Sequence, residues 1–130
     1  MIFYADTSAL VKLVVAEAET AELRSWIRSE GADLVSSDLA RTELLRAVRR
    51  VAGDRAVQAR AVLDSITLVG VRTATFESAG QLDPTALRTL DALHIASALE
   101  LGDDLAGLVT YDDRLGEAAQ SHGIAVVAPR

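Results

Sequence analysis

Short runs of consecutive apolar residues alternate along this chain with longer stretches whose apolar positions recur every three or four residues. Runs of the first kind, at 1–5, 32–36, 65–70, 105–110 and 124–127, are short and rich in Val, Ile and Leu, and they predict buried strands. The second kind predicts helices over 9–16, 18–29, 39–51, 54–63, 73–80, 90–101 and 114–121. The punctuation agrees. Asp6-Thr7-Ser8 and Ser37-Asp38 offer capping oxygens, Gly31 and Gly53 stop helices, and Leu82-Asp83-Pro84 marks a turn.

Strands that alternate with helices and read as near-continuous apolar runs imply a sheet covered on both faces. The fold class is therefore α/β, a three-layer α/β/α sandwich with a short, mostly parallel sheet. The 130 residues contain no linker, repeat or low-complexity tract, so residues 1–130 are read as a single domain. In such sheets ligands bind beyond the carboxyl ends of strands, where the strand order reverses. Asp6 and Asp112 each fall just after a strand run.

Composition narrows the picture. Half the residues are hydrophobic, which supports a folded core. No apolar run approaches the ~20 residues of a membrane span. Asp6 interrupts the N-terminal apolar run before it resembles a signal peptide. There is no cysteine, which excludes disulfides and thiolate metal sites, and a cytoplasmic location is expected. The net charge of −6 argues by itself against a nucleic-acid partner. Cations bound in an acidic pocket would reverse that local sign. Positive charge is nearly all arginine, with Lys12 the only lysine.

Four acids in apolar settings carry the candidate chemistry: Asp6, Glu43, Asp91 and Asp112. Brought together they would repel, and a divalent metal is the natural counter-charge. Helix capping is the competing reading for Asp6, Asp91 and Asp112, worth ~1 kcal/mol apiece. Glu43 resists it, lying inside a helix between an apolar arc (Ala40, Leu44, Ala47, Val48, Val51) and Arg46 and Arg50. That border position suits a metal ligand with a phosphate-binding rim, or else an ordinary Glu–Arg pair worth ~0.2–0.5 kcal/mol. His94 is read as a core-edge histidine or as a group orienting Asp91 or a water, and His122 as a surface residue. An all-oxygen set favours Mg²⁺, with Mn²⁺ as the substitute, over zinc. No P-loop and no Gly-x-Ser-x-Gly elbow is present. Trp26 is read as core or dimer packing. A homodimer is expected through some of Leu23, Trp26 and Ile27, or Leu44 and Val48.

Taken in order, Tyr4-Ala5-Asp6-Thr7-Ser8, Glu43 in the third helix, Asp91-Ala92-Leu93-His94-Ile95-Ala96 and Thr110-Tyr111-Asp112-Asp113-Arg114-Leu115 resemble the PIN domain, and most closely the VapC toxins of toxin–antitoxin pairs. The resemblance spans the whole chain. It implies a Mg²⁺-dependent endoribonuclease that hydrolyses RNA phosphodiester bonds and is inhibited by a VapB-type antitoxin. Asp6, Glu43, Asp91 and Asp112 would be its metal-binding acids, Thr110 the supporting hydroxyl, and Thr7 or Ser8 the polar neighbour of the first acid. Spacing favours Asp112 over Asp113. Arg46 and Arg50, with Arg88, would hold the RNA backbone beside Ser8.

Two rivals remain at this level. A phosphoryl-accepting receiver domain would need an acid pair after the first strand and a late lysine; only Asp6 follows that strand, and Lys12 is early. A PIN-like binding module without catalysis would keep the fold and need none of the acids, yet all four are present.

Overall fold

Alternation along β1 (Ile2–Ala5) decides how the layers form. Phe3 and Ala5 join one buried cluster and Tyr4 another, because successive strand side chains point to opposite faces. In the computed structural model, which describes residues 1–130, β1 is the middle of a five-stranded parallel sheet ordered β3-β2-β1-β4-β5. The other strands are β2 (Asp33–Ser37), β3 (Thr67–Val69), β4 (Leu105–Val109) and β5 (Val126–Val127). On the Phe3 face pack α1 (Thr7–Val11), α2 (Thr20–Glu30), α3 (Leu39–Val51) and α4 (Ala56–Ser65), through Leu10, Leu23, Leu44, Val48 and Leu63. The Tyr4 face is covered by α6 (Thr89–Leu99) and α7 (Asp113–Ser121), with Ile95, Leu108, Leu115 and Ile124. Alongside lies α5 (Thr73–Gly80), whose Ala79 packs with Ala92, Leu93 and Ala96 of α6.

The predicted three-layer sandwich is the observed one. The spans of α3 and α5 coincide with those read from the sequence. Gly31 closes α2 at φ 58°, a left-handed geometry that costs a glycine little. Other bounds moved for local reasons. The expected helix over 9–16 stops at Val11, since the carbonyls of Lys12 and Leu13 accept hydrogen bonds from Thr20 Oγ1 and Arg24 Nη2, both at 2.9 Å. Lys12 then turns into the protein, bonds Glu19 at 2.9 Å and sits 4.6 Å from the Tyr111 ring centre. The last strand begins late because Ile124 N donates to Ala119 O and closes the turn after α7.

The expected dimer faces need correction. Leu23, Leu44 and Val48 are each at most 1% exposed within one chain, so none is free for a partner. Helical periodicity shows that a helix has an apolar face but not what covers it. Here α1 and α4 cover α3. Trp26 is half-buried, with its ring edge-on to Phe3 at 4.7 Å, which bears out the core reading. No helix is long and apolar enough to cross a membrane.

The chain runs outward from β1 to β2 and β3, then crosses back to β4 and β5. Strand order therefore reverses between β1 and β4, and their carboxyl ends lie side by side. Asp6 follows β1 and Thr110 follows β4 at this crevice, where parallel sheets bind ligands.

Candidate metal centre

Asp6 sits at the bottom of the crevice, 5% exposed. Its Oδ1 accepts from Ser8 Oγ at 2.7 Å and from Ala9 N at 3.3 Å, and its Oδ2 accepts from Thr110 Oγ1 at 3.0 Å. Both hydroxyl protons are thus committed to Asp6. The two hydroxyl oxygens accept in turn: Ser8 from Tyr111 N at 2.8 Å, and Thr110 from Asp112 N at 3.1 Å. The expected supporting role of Thr110 has its geometry here. Ser8 spends its proton on the acid rather than offering it to a ligand. Burial pushes the Asp6 carboxyl above its ordinary value, and these hydrogen bonds and the nearby His94 only partly oppose the rise.

Asp112 caps α7, its Oδ1 accepting from Arg114 N at 3.0 Å and Leu115 N at 3.2 Å. Asp6 and Asp112 are therefore caps and crevice acids at once, so the two readings were never exclusive. Asp91 is not a cap. It lies in the first turn of α6, where Arg88 holds the N-cap position. Its carboxyl is raised first by desolvation and next by the charge of Asp112, with a further contribution from Glu43. Asp112 and Glu43 therefore both lie within electrostatic range of Asp91.

Glu43 has no ion pair with Arg46 or Arg50. It pairs with His94, whose Nε2 lies 2.5 Å from Glu43 Oε1, and Thr7 Oγ1 donates to the same oxygen at 3.2 Å. His94 is buried and its Nδ1 meets the Tyr4 hydroxyl at 2.7 Å. Sequence reasoning missed the roles of His94 and Tyr4, since 51 and 90 residues separate the bonded pairs. Burial drives the Tyr4 phenol up to about 12 against the opposing hydroxyls of Ser37, Ser36 and Ser97, so it keeps its proton. His122 donates to or accepts from nothing in the crevice and sits against the Asp83 carbonyl at 2.7 Å.

Grooves open on either side of the acids. One is lined by Thr7, Thr42, Glu43, Arg46, Arg50 and Leu90. The other is lined by Arg88, Asp91, Arg114, Glu117, Ser121 and His122. Each brings one of the four candidate acids beside two arginines.

A metal suits the donor set. Every candidate ligand is a carboxylate oxygen, and Glu43 Oε2, Asp112 Oδ2 and both oxygens of Asp91 accept no hydrogen bond from the protein. No three of these acids and histidines converge at ligating distance, so the centre is not a closed protein cage. Mg²⁺ is ordinarily held by one or two carboxylates and keeps several waters, which a crevice of this kind accommodates.

The match to known proteins is extensive. The PIN domain profile matches residues 3–121. The chain belongs to the PIN-domain family. This PIN domain is 44% identical over 126 residues to Ribonuclease VapC46 of Mycobacterium tuberculosis, covering 97% of the chain and 96% of that protein. It is 36% identical over 132 residues to Ribonuclease VapC47 from the same species, covering 98% and 97%. The family includes this chain in its VapC branch. The fold superposes on the crystal structure of Mycobacterium tuberculosis VapC20, a Sarcin-Ricin loop cleaving toxin, with TM-score 0.79 and 20% identity over 99% of this PIN domain and 100% of that chain. Rickettsia felis VapBC2, crystallised with a DNA fragment from its promoter, gives TM-score 0.71 at 14% identity over 100% of both chains.

Proposed function

We propose that this PIN domain is a Mg²⁺-dependent endoribonuclease, the toxin of a toxin–antitoxin pair, and that a VapB-type antitoxin is its partner. What supports the reading is Asp6, buried after β1 at the switch point and hydrogen-bonded to Thr110 beyond β4, together with Asp112 at the N-cap of α7 and Glu43 of α3, both close enough to act on the carboxyl of Asp91 in α6. The names of its curated relatives, ribonucleases of the VapC group, support the same activity.

One or two Mg²⁺ ions bound here, or Mn²⁺ in their place, would polarise the scissile phosphate and lower the pKa of an attacking water. The chain's own residues do the rest. Thr110 and Ser8 hold Asp6 at a fixed angle. Asp112 is locked by the first turn of α7, with one oxygen left over. Asp91 stands at the mouth with both oxygens free. Arg46 and Arg50 on one side, and Arg88 and Arg114 on the other, offer planar forks to phosphates of a strand lying across the acids. With aromatic residues only 4% of the chain, little stacking surface is on offer, which favours recognition of RNA by shape.

The activity is tested by incubating the purified protein with structured RNA and mapping the ends produced. Attack by water should leave 5′-phosphate and 3′-hydroxyl ends. Products carrying 2′,3′-cyclic phosphate would instead mean attack by the RNA's own hydroxyl, and would refute the proposed mechanism.

The arginine groove makes a separate prediction. The double variant Arg46→Ala/Arg50→Ala should bind RNA more weakly and lower the slope of log affinity against log salt by about 1.4, as expected for two phosphate contacts on a single strand. Mn²⁺ affinity should stay at the wild-type value. An unaltered salt slope, together with a weakened antitoxin complex, would assign this groove to the partner.

A further inference from the structure

A run of polar side chains leads through the core to Glu43, and nothing in the sandwich fold requires it. Tyr4 is 0% exposed on the central strand, and its hydroxyl lies 2.7 Å from His94 Nδ1. His94, 2% exposed on α6, brings Nε2 to 2.5 Å from Glu43 Oε1. Ser36, Ser37 and Ser97 lie around the phenol, and the hydroxyls of Ser36 and Ser97 have no partner of good geometry. Burying this many polar groups is costly unless they satisfy one another.

A carboxylate oxygen accepts, so His94 Nε2–H is the donor to Glu43 Oε1, while Nδ1 on the other side of the ring meets the Tyr4 hydroxyl. Oε1 then holds two donors, Nε2–H of His94 and Oγ1–H of Thr7, while Oε2 accepts from no protein group.

We propose that His94, backed by Tyr4, is a positioning residue that clamps Glu43 by Oε1 and leaves Oε2 alone to face a divalent cation. This rests on the metal-dependent reading given above. Glu43 is half-buried on a helix face and would otherwise sample several rotamers, each of which must be given up on binding an ion. A carboxylate held by one oxygen cannot chelate with both. Single-oxygen ligation suits Mg²⁺, which demands near-octahedral geometry and retains waters. Outer partners of this kind typically set ligand orientation and metal affinity.

The test is calorimetric titration of Mn²⁺ into the purified metal-free protein, with the melting temperature of each variant measured alongside. His94→Leu should weaken Mn²⁺ binding about tenfold or more, within the range for loss of an outer partner. His94→Gln places an amide N–H near the position of Nε2 and should recover most of that affinity. Tyr4→Phe removes the hydroxyl that meets Nδ1 and should give an intermediate loss. Wild-type affinity in folded His94→Leu would overturn the clamp, as would an equal loss in His94→Gln and His94→Leu. If His94→Leu fails to fold, Tyr4→Phe decides, and wild-type affinity there overturns the proposal. Glu43→Gln separates the two levels. Undiminished Mn²⁺ binding in Glu43→Gln refutes the metal centre and the clamp together. Loss in Glu43→Gln without loss in the His94 and Tyr4 variants refutes the clamp alone.

Discussion

Asp6→Asn should lower RNA cleavage about a thousandfold while raising the melting temperature of the metal-free protein. The first effect follows from magnitude. A metal contributes several kcal/mol to the transition state, and ~4 kcal/mol is about three powers of ten in rate. The amide is neutral and a poor ligand for a hard cation. The second effect follows from burial. Asp6 is a desolvated carboxylate, and without metal its charge is a burden on the fold. Asparagine keeps an oxygen for Ser8 and Ala9, and its N–H can reach the Thr110 hydroxyl, so the hydrogen-bonded frame survives.

The pH dependence has a definite sign. The folded-state value of Asp6 lies above its unfolded value, so the native state binds more protons than the unfolded chain. Stability of the metal-free wild type therefore falls as pH rises from the ordinary carboxylate value through the elevated folded one, and Asp91 adds in the same direction. The melting-temperature gap between Asp6→Asn and wild type should widen across that window and then level off. Thermal melts in chelator at a series of pH values measure it. A gap that shrinks as pH rises would contradict the assignment of Asp6 as a destabilising buried charge.

The second large effect is metal removal. Thorough chelation should abolish cleavage, and Mg²⁺ or Mn²⁺ should restore it, because the crevice offers only hard oxygen ligands. The same ions should stabilise the fold. At ten times its dissociation constant a single bound ion adds about 1.4 kcal/mol, readable as a rise in melting temperature. Asp6→Asn and Glu43→Gln should lose that gain. Cleavage that persists in excess chelator would point to a metal-free reaction and leave the four acids without their proposed task.

The sequence was most readable where local pattern and chain order coincide. The span of α3 follows from its apolar arc between Asp38 and the stop at Gly53, and Asp6 and Asp112 stand out because each ends a strand in an alternating α/β pattern. The remainder depends on contacts that no local window contains. The end of α1 is set by side chains of α2 taking the carbonyls of Lys12 and Leu13. Burial of Leu44 and Val48 depends on which neighbours dock on α3. The partner of Glu43 is a histidine from the opposite layer, although Arg46 stands one helical turn away. Aromatic and imidazole groups such as Tyr4 and His94 carry both an apolar body and a polar tip, so a buried position alone does not say which property is in use.

The bond from Thr110 to Asp6 spans 104 residues, since β4 docks on the free edge of β1 only after most of the chain exists. During synthesis the ribosome releases Asp6, Glu43 and Asp91 well before Thr110 and Asp112. Until then β1 has an open edge, and Asp6 lacks the hydroxyl that orients its second oxygen. Closing so long a loop is entropically slow compared with forming local helices. Whatever chemistry the crevice performs therefore switches on late and as a unit.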